Sequence, residues 1–177
     1  MRRVFSLMLE AVLIVSCIFP ASAAQIDSAV AVEACESFHN QDIPMPSHIN
    51  ALNGMQRSTS KPKQYWDLGS ENYGATLTQV GNAYLYTNYY FHPNNDGEIY
   101  TRVRASAQGL GQLRVGIYNI SENYDAAHWT YEIDATGIDE TVRFYNLDTN
   151  DHYAVYFSSV YNGYYVVYIT GSATVYN

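Results

Sequence analysis

From Gln64 to the end of the chain, apolar and polar side chains alternate with a period of two, and no useful window of helical period interrupts them. Successive side chains of an extended strand point to opposite sides, so this alternation describes strands with one face buried and the other in water. Ile99, Thr101, Val103 and Ala105 alternate with Tyr100, Arg102, Arg104 and Ser106. Leu113, Val115 and Ile117 alternate with Arg114, Gly116 and Tyr118, and Tyr153, Val155 and Phe157 with His152, Ala154, Tyr156 and Ser158. Further strand-forming runs cover 75–80, 83–91, 127–133, 141–147 and 164–176. Turn residues separate the runs: Gly81-Asn82, Asn94-Asn95-Asp96-Gly97, Gly109-Leu110-Gly111, Glu122-Asn123, Asp148-Thr149-Asn150-Asp151 and Asn162-Gly163. Asn95-Asp96-Gly97 and Asn162-Gly163 have the chemistry of tight hairpins, because Asn and Gly accept positive φ at low cost. About eight short strands joined by such turns predict an all-β, two-sheet antiparallel β-sandwich of jelly-roll or immunoglobulin-like type. Each strand then hides one face against the opposite sheet. A small closed barrel is the alternative.

The N-terminal part has a different character. Arg2 and Arg3 precede an apolar stretch over 4–19 that Glu10 interrupts, and Pro20-Ala21-Ser22-Ala23-Ala24 follows. This order predicts a secretory signal peptide over 1–24, cleaved after Ala23 or Ala24, and hence a secreted or cell-surface protein. The stretch is too short and too broken for a transmembrane helix, so no such segment is expected in the mature chain. A rival reading takes Ile14-Val15-Ser16-Cys17 as a lipoprotein box with the lipid on Cys17. With the leader removed, Cys35 is the sole remaining thiol, which excludes an intramolecular disulfide. Cys35 is then either a reactive or bridging thiol or an inert small residue. Residues 25–63 lack Tyr and Trp, contain Lys61 and Lys63, and read as a linker or propeptide-like segment before a β-sandwich domain over 64–177.

Charge excludes one class of partner. The formal net charge is -8, and no basic stripe exists to neutralise phosphates, so nucleic acid is not an expected ligand. The tyrosines point elsewhere: all 18 fall after residue 64. Tyr84, Tyr86 and Tyr90 share one strand parity while Leu85, Thr87, Tyr89 and Phe91 share the other, which puts rings on both faces of one segment. An outward Tyr offers a flat apolar face with a polar handle, suited to sugar rings or to a protein surface. The plainer account is that Tyr forms strands well and fills cross-strand pairs. Trp66 and Trp129 admit the same two accounts, core anchor or platform, and Trp129 has His128, Thr130, Glu132 and Asp134 close by in sequence. The ligand-binding candidates are therefore Tyr84, Tyr86, Tyr90 and Trp129, with no catalytic or metal residue assigned.

Other chemistry finds less support in the residues. No Gly-x-Ser-x-Gly elbow, His-Glu-x-x-His helix or phosphate-cradling glycine loop occurs, and the five histidines show no ligand spacing. Glu132 and Asp134, followed by Asp139 and Glu140, are the carboxylates that a small glycoside hydrolase would use as acid and base. Asp96 with Glu98, and Asp148 with Asp151, are the oxygen groups a loop-bound Ca²⁺ would use; no other cofactor is expected.

The order Tyr86-Thr87-Asn88-Tyr89-Tyr90-Phe91, Gly97-Glu98-Ile99, Val115-Gly116-Ile117-Tyr118, Phe144-Tyr145-Asn146-Leu147 and His152-Tyr153-Ala154-Val155 resembles the small β-sandwich modules of secreted bacterial proteins. It is similar to pre-peptidase C-terminal domains, over about residues 83–170. The resemblance implies a non-catalytic accessory or surface module and transfers no functional residue. That family is usually appended to an enzyme, and residues 1–63 are not expected to form one. The expectation is a secreted or cell-surface, non-enzymatic module that recognises glycan or protein through a Tyr/Trp-rich sheet face. A self-assembling envelope protein and a small glycoside hydrolase are the alternatives.

Overall fold

The computed structural model describes residues 34–39, 59–160 and 167–177. The expectations for the leader, for Cys17 and for the Asn162-Gly163 turn lie outside these residues. The strands are β1 (Cys35–His39), β2 (Gln64–Tyr65), β3 (Tyr73–Val80), β4 (Leu85–Tyr86), β5 (Tyr89–Tyr90), β6 (Ile99–Ala107), β7 (Gly111–Asn119), β8 (Tyr124–Ile133), β9 (Ile138–Phe144), β10 (Tyr153–Ser159) and β11 (Ile169–Tyr176). One sheet has the order β1-β9-β6-β11-β3, a second β4-β10-β7-β8, and β2 with β5 forms a short parallel pair. The fold is the expected β-sandwich, not closed into a barrel. Among the described residues no helix is long and apolar enough to cross a membrane.

The alternation read from the sequence maps onto the two sheets. Ile99 and Val103 of β6, Val142 and Phe144 of β9, and Ala173 and Val175 of β11 are buried in one core cluster with Leu113, Val115 and Ile117 of β7 and Val155 and Phe157 of β10. Each large apolar side chain buried in this way contributes about 1.5–3 kcal/mol. On the solvent side of the five-stranded sheet, Arg102 and Arg104 hold Asp139, while Arg143 holds both Glu98 and Glu36. The Arg102 guanidinium beside Asp139 lowers that carboxyl below the usual range, and Arg143 does the same for Glu98.

Three features depart from the expectations. The sheet begins before residue 64: Cys35–His39 pairs antiparallel with β9, and the buried Cys35 Sγ donates to the carbonyl of His128 at 3.3 Å. Strand β1 thus touches both sheets. Burial, then the charge of Asp125, raises the Cys35 pKa, which keeps it a thiol and fits the inert reading over the nucleophilic one. The Asn94–Gly97 segment is a tight turn with Gly97 at φ 73°, yet it joins β5 to β6, which lie in different sheets, so it is not a hairpin. Third, β3 carries a bulge. Ile169 pairs with Val80 and Gly171 with Leu77, leaving two residues of β3 against one of β11. Gln79 in that bulge has φ 52°, a left-handed conformation that costs a non-glycine residue roughly 1–2 kcal/mol.

The tyrosines give the sandwich a characteristic alkaline limit. Burial pushes Tyr86 and Tyr153 up to about 12 and also raises Tyr73, Tyr131, Tyr156 and Tyr176. The folded phenols hold their protons more tightly than unfolded ones, which ionise near 10. Their contribution to stability is complete below about pH 10 and is lost as pH rises through the folded values. Absorbance titration at the phenolate band is expected to show a freely ionising class and a class that ionises only as the circular dichroism of the fold collapses. Reversible ionisation of all 18 tyrosines near pH 10, with the fold intact, would contradict this packing.

Candidate functional site

The outer face of the four-stranded sheet is where unusual side chains collect. Tyr153, Val155 and Phe157 of β10 point into the core, so His152, Ala154 and Tyr156 point away from it. Tyr156 pairs with Tyr86 of β4 on one side and with Gly116 of β7 on the other. The missing side chain of Gly116 matters, because a Cβ there would meet the Tyr156 ring at 2.2 Å. The ring lies over the glycine, fully buried although it stands outside the main core. Tyr84 stacks on it with centroids 4.4 Å apart and planes inclined by 14°, and Tyr86 meets it edge-on at 6.0 Å. Tyr86 in turn meets Tyr118 edge-on at 5.7 Å, completing a small aromatic core on the sheet exterior.

Polar groups bind this cluster to β7, β8 and the segment before β2. Tyr156 donates its hydroxyl to Asp125 Oδ2 at 2.7 Å, and His128 Nδ1 lies 3.3 Å from the same oxygen. Burial first, then the Asp125 charge, pushes the Tyr156 phenol far up, so it serves as a hydrogen-bond donor. Arg114 Nη1 donates to the Tyr84 hydroxyl at 3.3 Å. Lys61 donates to the Tyr118 hydroxyl at 2.8 Å, with its ammonium 4.1 Å from the ring centre. Asp125 Oδ1 and Arg114 Nε are shut off from water without a hydrogen-bond partner. Each such atom costs about 1–3 kcal/mol, a local cost that calls for an explanation beyond packing.

A second aromatic group sits at the other end of the same face, about 13 Å along β10 at the strand rise of about 3.3 Å per residue. The Tyr90 ring meets the His152 ring at 4.6 Å, His92 meets His152 at 4.7 Å, and Tyr65 meets Tyr90 and His92 at 5.7 and 5.1 Å. Ser121 Oγ shares a hydrogen bond with His152 Nδ1 at 3.0 Å and accepts the His152 backbone N–H, which fixes the ring's position. Tyr65 remains 47% exposed. This group is the open part of the face, whereas Tyr84, Tyr86, Tyr118 and Tyr156 are largely occupied with one another.

The four sequence candidates therefore fall in three places. Tyr84 and Tyr86 belong to the packed cluster and Tyr90 to the open one. Trp129 pairs with the buried Val115, so it points to the inter-sheet side at the free edge of β8, where 37% of it stays exposed. Trp66 packs partly buried between Tyr73 and Tyr89 and donates to the Glu71 carbonyl at 2.9 Å, an anchoring role. Tyr65, His92, His152 and Lys61 were not among the sequence candidates. The parallel β2–β5 pair brings Tyr65 to Tyr90 and the two histidines, and Lys61 reaches Tyr118 of the packed cluster, contacts for which no local pattern exists.

Four of the other candidate carboxylates have structural partners. Asp134 accepts from the Thr136 N–H and hydroxyl, Asp139 is held by two arginines, Asp148 closes its own turn onto Asn150, and Asp151 accepts from Asn119. Among the described residues no three His, Cys, Asp or Glu side chains gather as a metal site. No family model, curated protein or solved structure matches the chain.

Proposed function

We propose that the chain is an exported, non-enzymatic recognition module that holds a glycan against the outer face of its four-stranded sheet. One observation carries this reading: Tyr65, Tyr90, His92 and His152 converge outside the core, with Tyr65 exposed and His152 positioned by Ser121. Phenol rings offer flat apolar faces to the C–H side of a sugar, and imidazoles donate to and accept from hydroxyl groups. The leader-like 1–24 segment supports export, and the likeness to pre-peptidase C-terminal domains supports an accessory role. Hydrolase chemistry is less favoured. A general acid needs a raised pKa, and Asp134 and Asp139 are both lowered, Asp134 by the Thr136 hydroxyl and Asp139 by Arg102.

Glycan-array screening followed by calorimetry tests the reading. Tyr65→Ala and Tyr90→Ala are each expected to weaken the selected glycan at least tenfold. Tyr65→Ala should leave the melting temperature within about 2 °C, as befits an exposed residue. Trp129→Ala should leave affinity unchanged, because that ring lies on the other side of the sheet. Binding that survives both tyrosine substitutions would end the proposal. A mass that rises with concentration, with no glycan bound, would favour assembly through the ten-residue edge strand β8, where Tyr124 and Trp129 are exposed.

A further inference from the structure

We propose that a groove at the β3 bulge, on the other sheet, is a separate binding site for a neutral saccharide, with the Tyr168 ring as its stacking platform. The groove has a volume of about 340 Å³, at the lower end of small-ligand sites, roughly 300–1,000 Å³. Gln79, Ser106, Gln108 and Thr170 line it together with the buried Ala107 and the 59% exposed Tyr168.

The chemistry of this lining is selective. Among the described residues no charged side chain lines it, so an ion would leave water without a counter-charge. Each carboxamide places a donor beside an acceptor, and each hydroxyl can act as either, a set that matches the neighbouring hydroxyls of a pyranose. The phenol ring offers the apolar face that a sugar's C–H side needs.

The backbone supplies an independent reason to assign function here. The bulge lets Leu77 and Val80, three residues apart, both stay in the core while Thr78 and Gln79 face outward. The cost is Gln79 at φ 52°; the other non-glycine residues with positive φ among those described are Asn123 and Asn146, a residue type that tolerates it. Strain of this kind persists where it aims a side chain, and bulges often do so beside binding sites. The same irregularity interrupts the edge of β3, which disfavours an added peptide strand as the occupant. The site does not depend on the Tyr65 patch, which lies on the opposite sheet.

Saturation-transfer NMR on the full chain, with cellohexaose, maltohexaose, mannohexaose and chitotetraose as probes, tests the proposal. At least one probe is expected to give a signal that falls at least tenfold in Tyr168→Ala and in Gln79→Gly, and that persists in Tyr65→Ala. Glycine accepts the positive φ, so Gln79→Gly is expected to melt no lower than the parent, separating loss of binding from loss of fold. No signal from any probe overturns the proposal, as does a signal undiminished in both groove variants. A signal lost in Tyr65→Ala but kept in Tyr168→Ala overturns it while leaving the Tyr65 patch standing. Preferential binding of an oligogalacturonate, or of an extended peptide along β3, also overturns it.

Discussion

Tyr156→Ala is expected to cost the sandwich about 3–5 kcal/mol, the range for emptying a buried aromatic position. The ring is fully buried, stacked under Tyr84, laid over Gly116 and hydrogen-bonded to Asp125. Truncation opens a cavity on the sheet exterior and deprives the Asp125 carboxylate of a donor. Tyr156→Phe isolates the second effect and should cost about 1–3 kcal/mol, since the aromatic packing survives while Asp125 Oδ2 loses its phenol donor and keeps only the His128 contact. A double-mutant cycle sharpens the test. Gly116→Ala forces its new methyl into the ring in the parent protein, but in the Tyr156→Ala background the space is vacant. The glycine substitution should therefore be severe alone and mild in combination. Additive effects in chemical denaturation would mean that Tyr156 does not rest on Gly116.

Gly171→Ala is expected to be of similar size, about 3 kcal/mol or more, seen as a fall in melting temperature of roughly 10 °C or as loss of the folded baseline. A Cβ at this position would lie 2.1 Å from the carbonyl oxygen of Arg104 and 2.6 Å from the Cα of Ala105. Both are backbone atoms of β6, the middle strand of the five-stranded sheet, so neither can rotate away. The chain must shift between β6 and β3, at the place where β3 is already bulged. Gly109→Ala is the control: a Cβ there meets nothing within 4 Å, and its effect should be within about 0.5 kcal/mol. A Gly171→Ala protein that melts with the parent would disprove the close approach of these strands.

The same contrast separates what the sequence reveals from what it hides. The alternation in 99–105, 113–117 and 153–157 identifies β6, β7 and β10 and their core-facing residues, because side-chain direction along a strand is set by covalent geometry. Pairing is another matter. Among the described residues from β3 onward, β7–β8 is the one hairpin between successive strands and every other link leads into a different sheet, so the eye-catching Asn95-Asp96-Gly97 turn does not pair the strands on either side of it. A tight turn specifies a reversal of direction, not the sheet that the next strand joins. Strand β1 was hidden for a related reason: five residues without tyrosine carry too little pattern to stand out from their surroundings, and they gain strand structure from β9.

The candidate site divides along the same line. That aromatic rings would stand outside the core was legible from the parity of Tyr84, Tyr86 and Tyr90, since both parities of that segment carry rings. Parity could not say that Tyr84 would be spent on stacking Tyr156, that Trp129 would face the inter-sheet side, or that Tyr65 would join Tyr90 and two histidines. By itself the sequence determined an all-β sandwich with tyrosines on both sides of its strands, because each residue's inward or outward direction is a local property. The tertiary structure alone decided which rings are covered and which stay open, because those contacts form between segments far apart in the chain, and only hydrogen-bonded pairing brings them together.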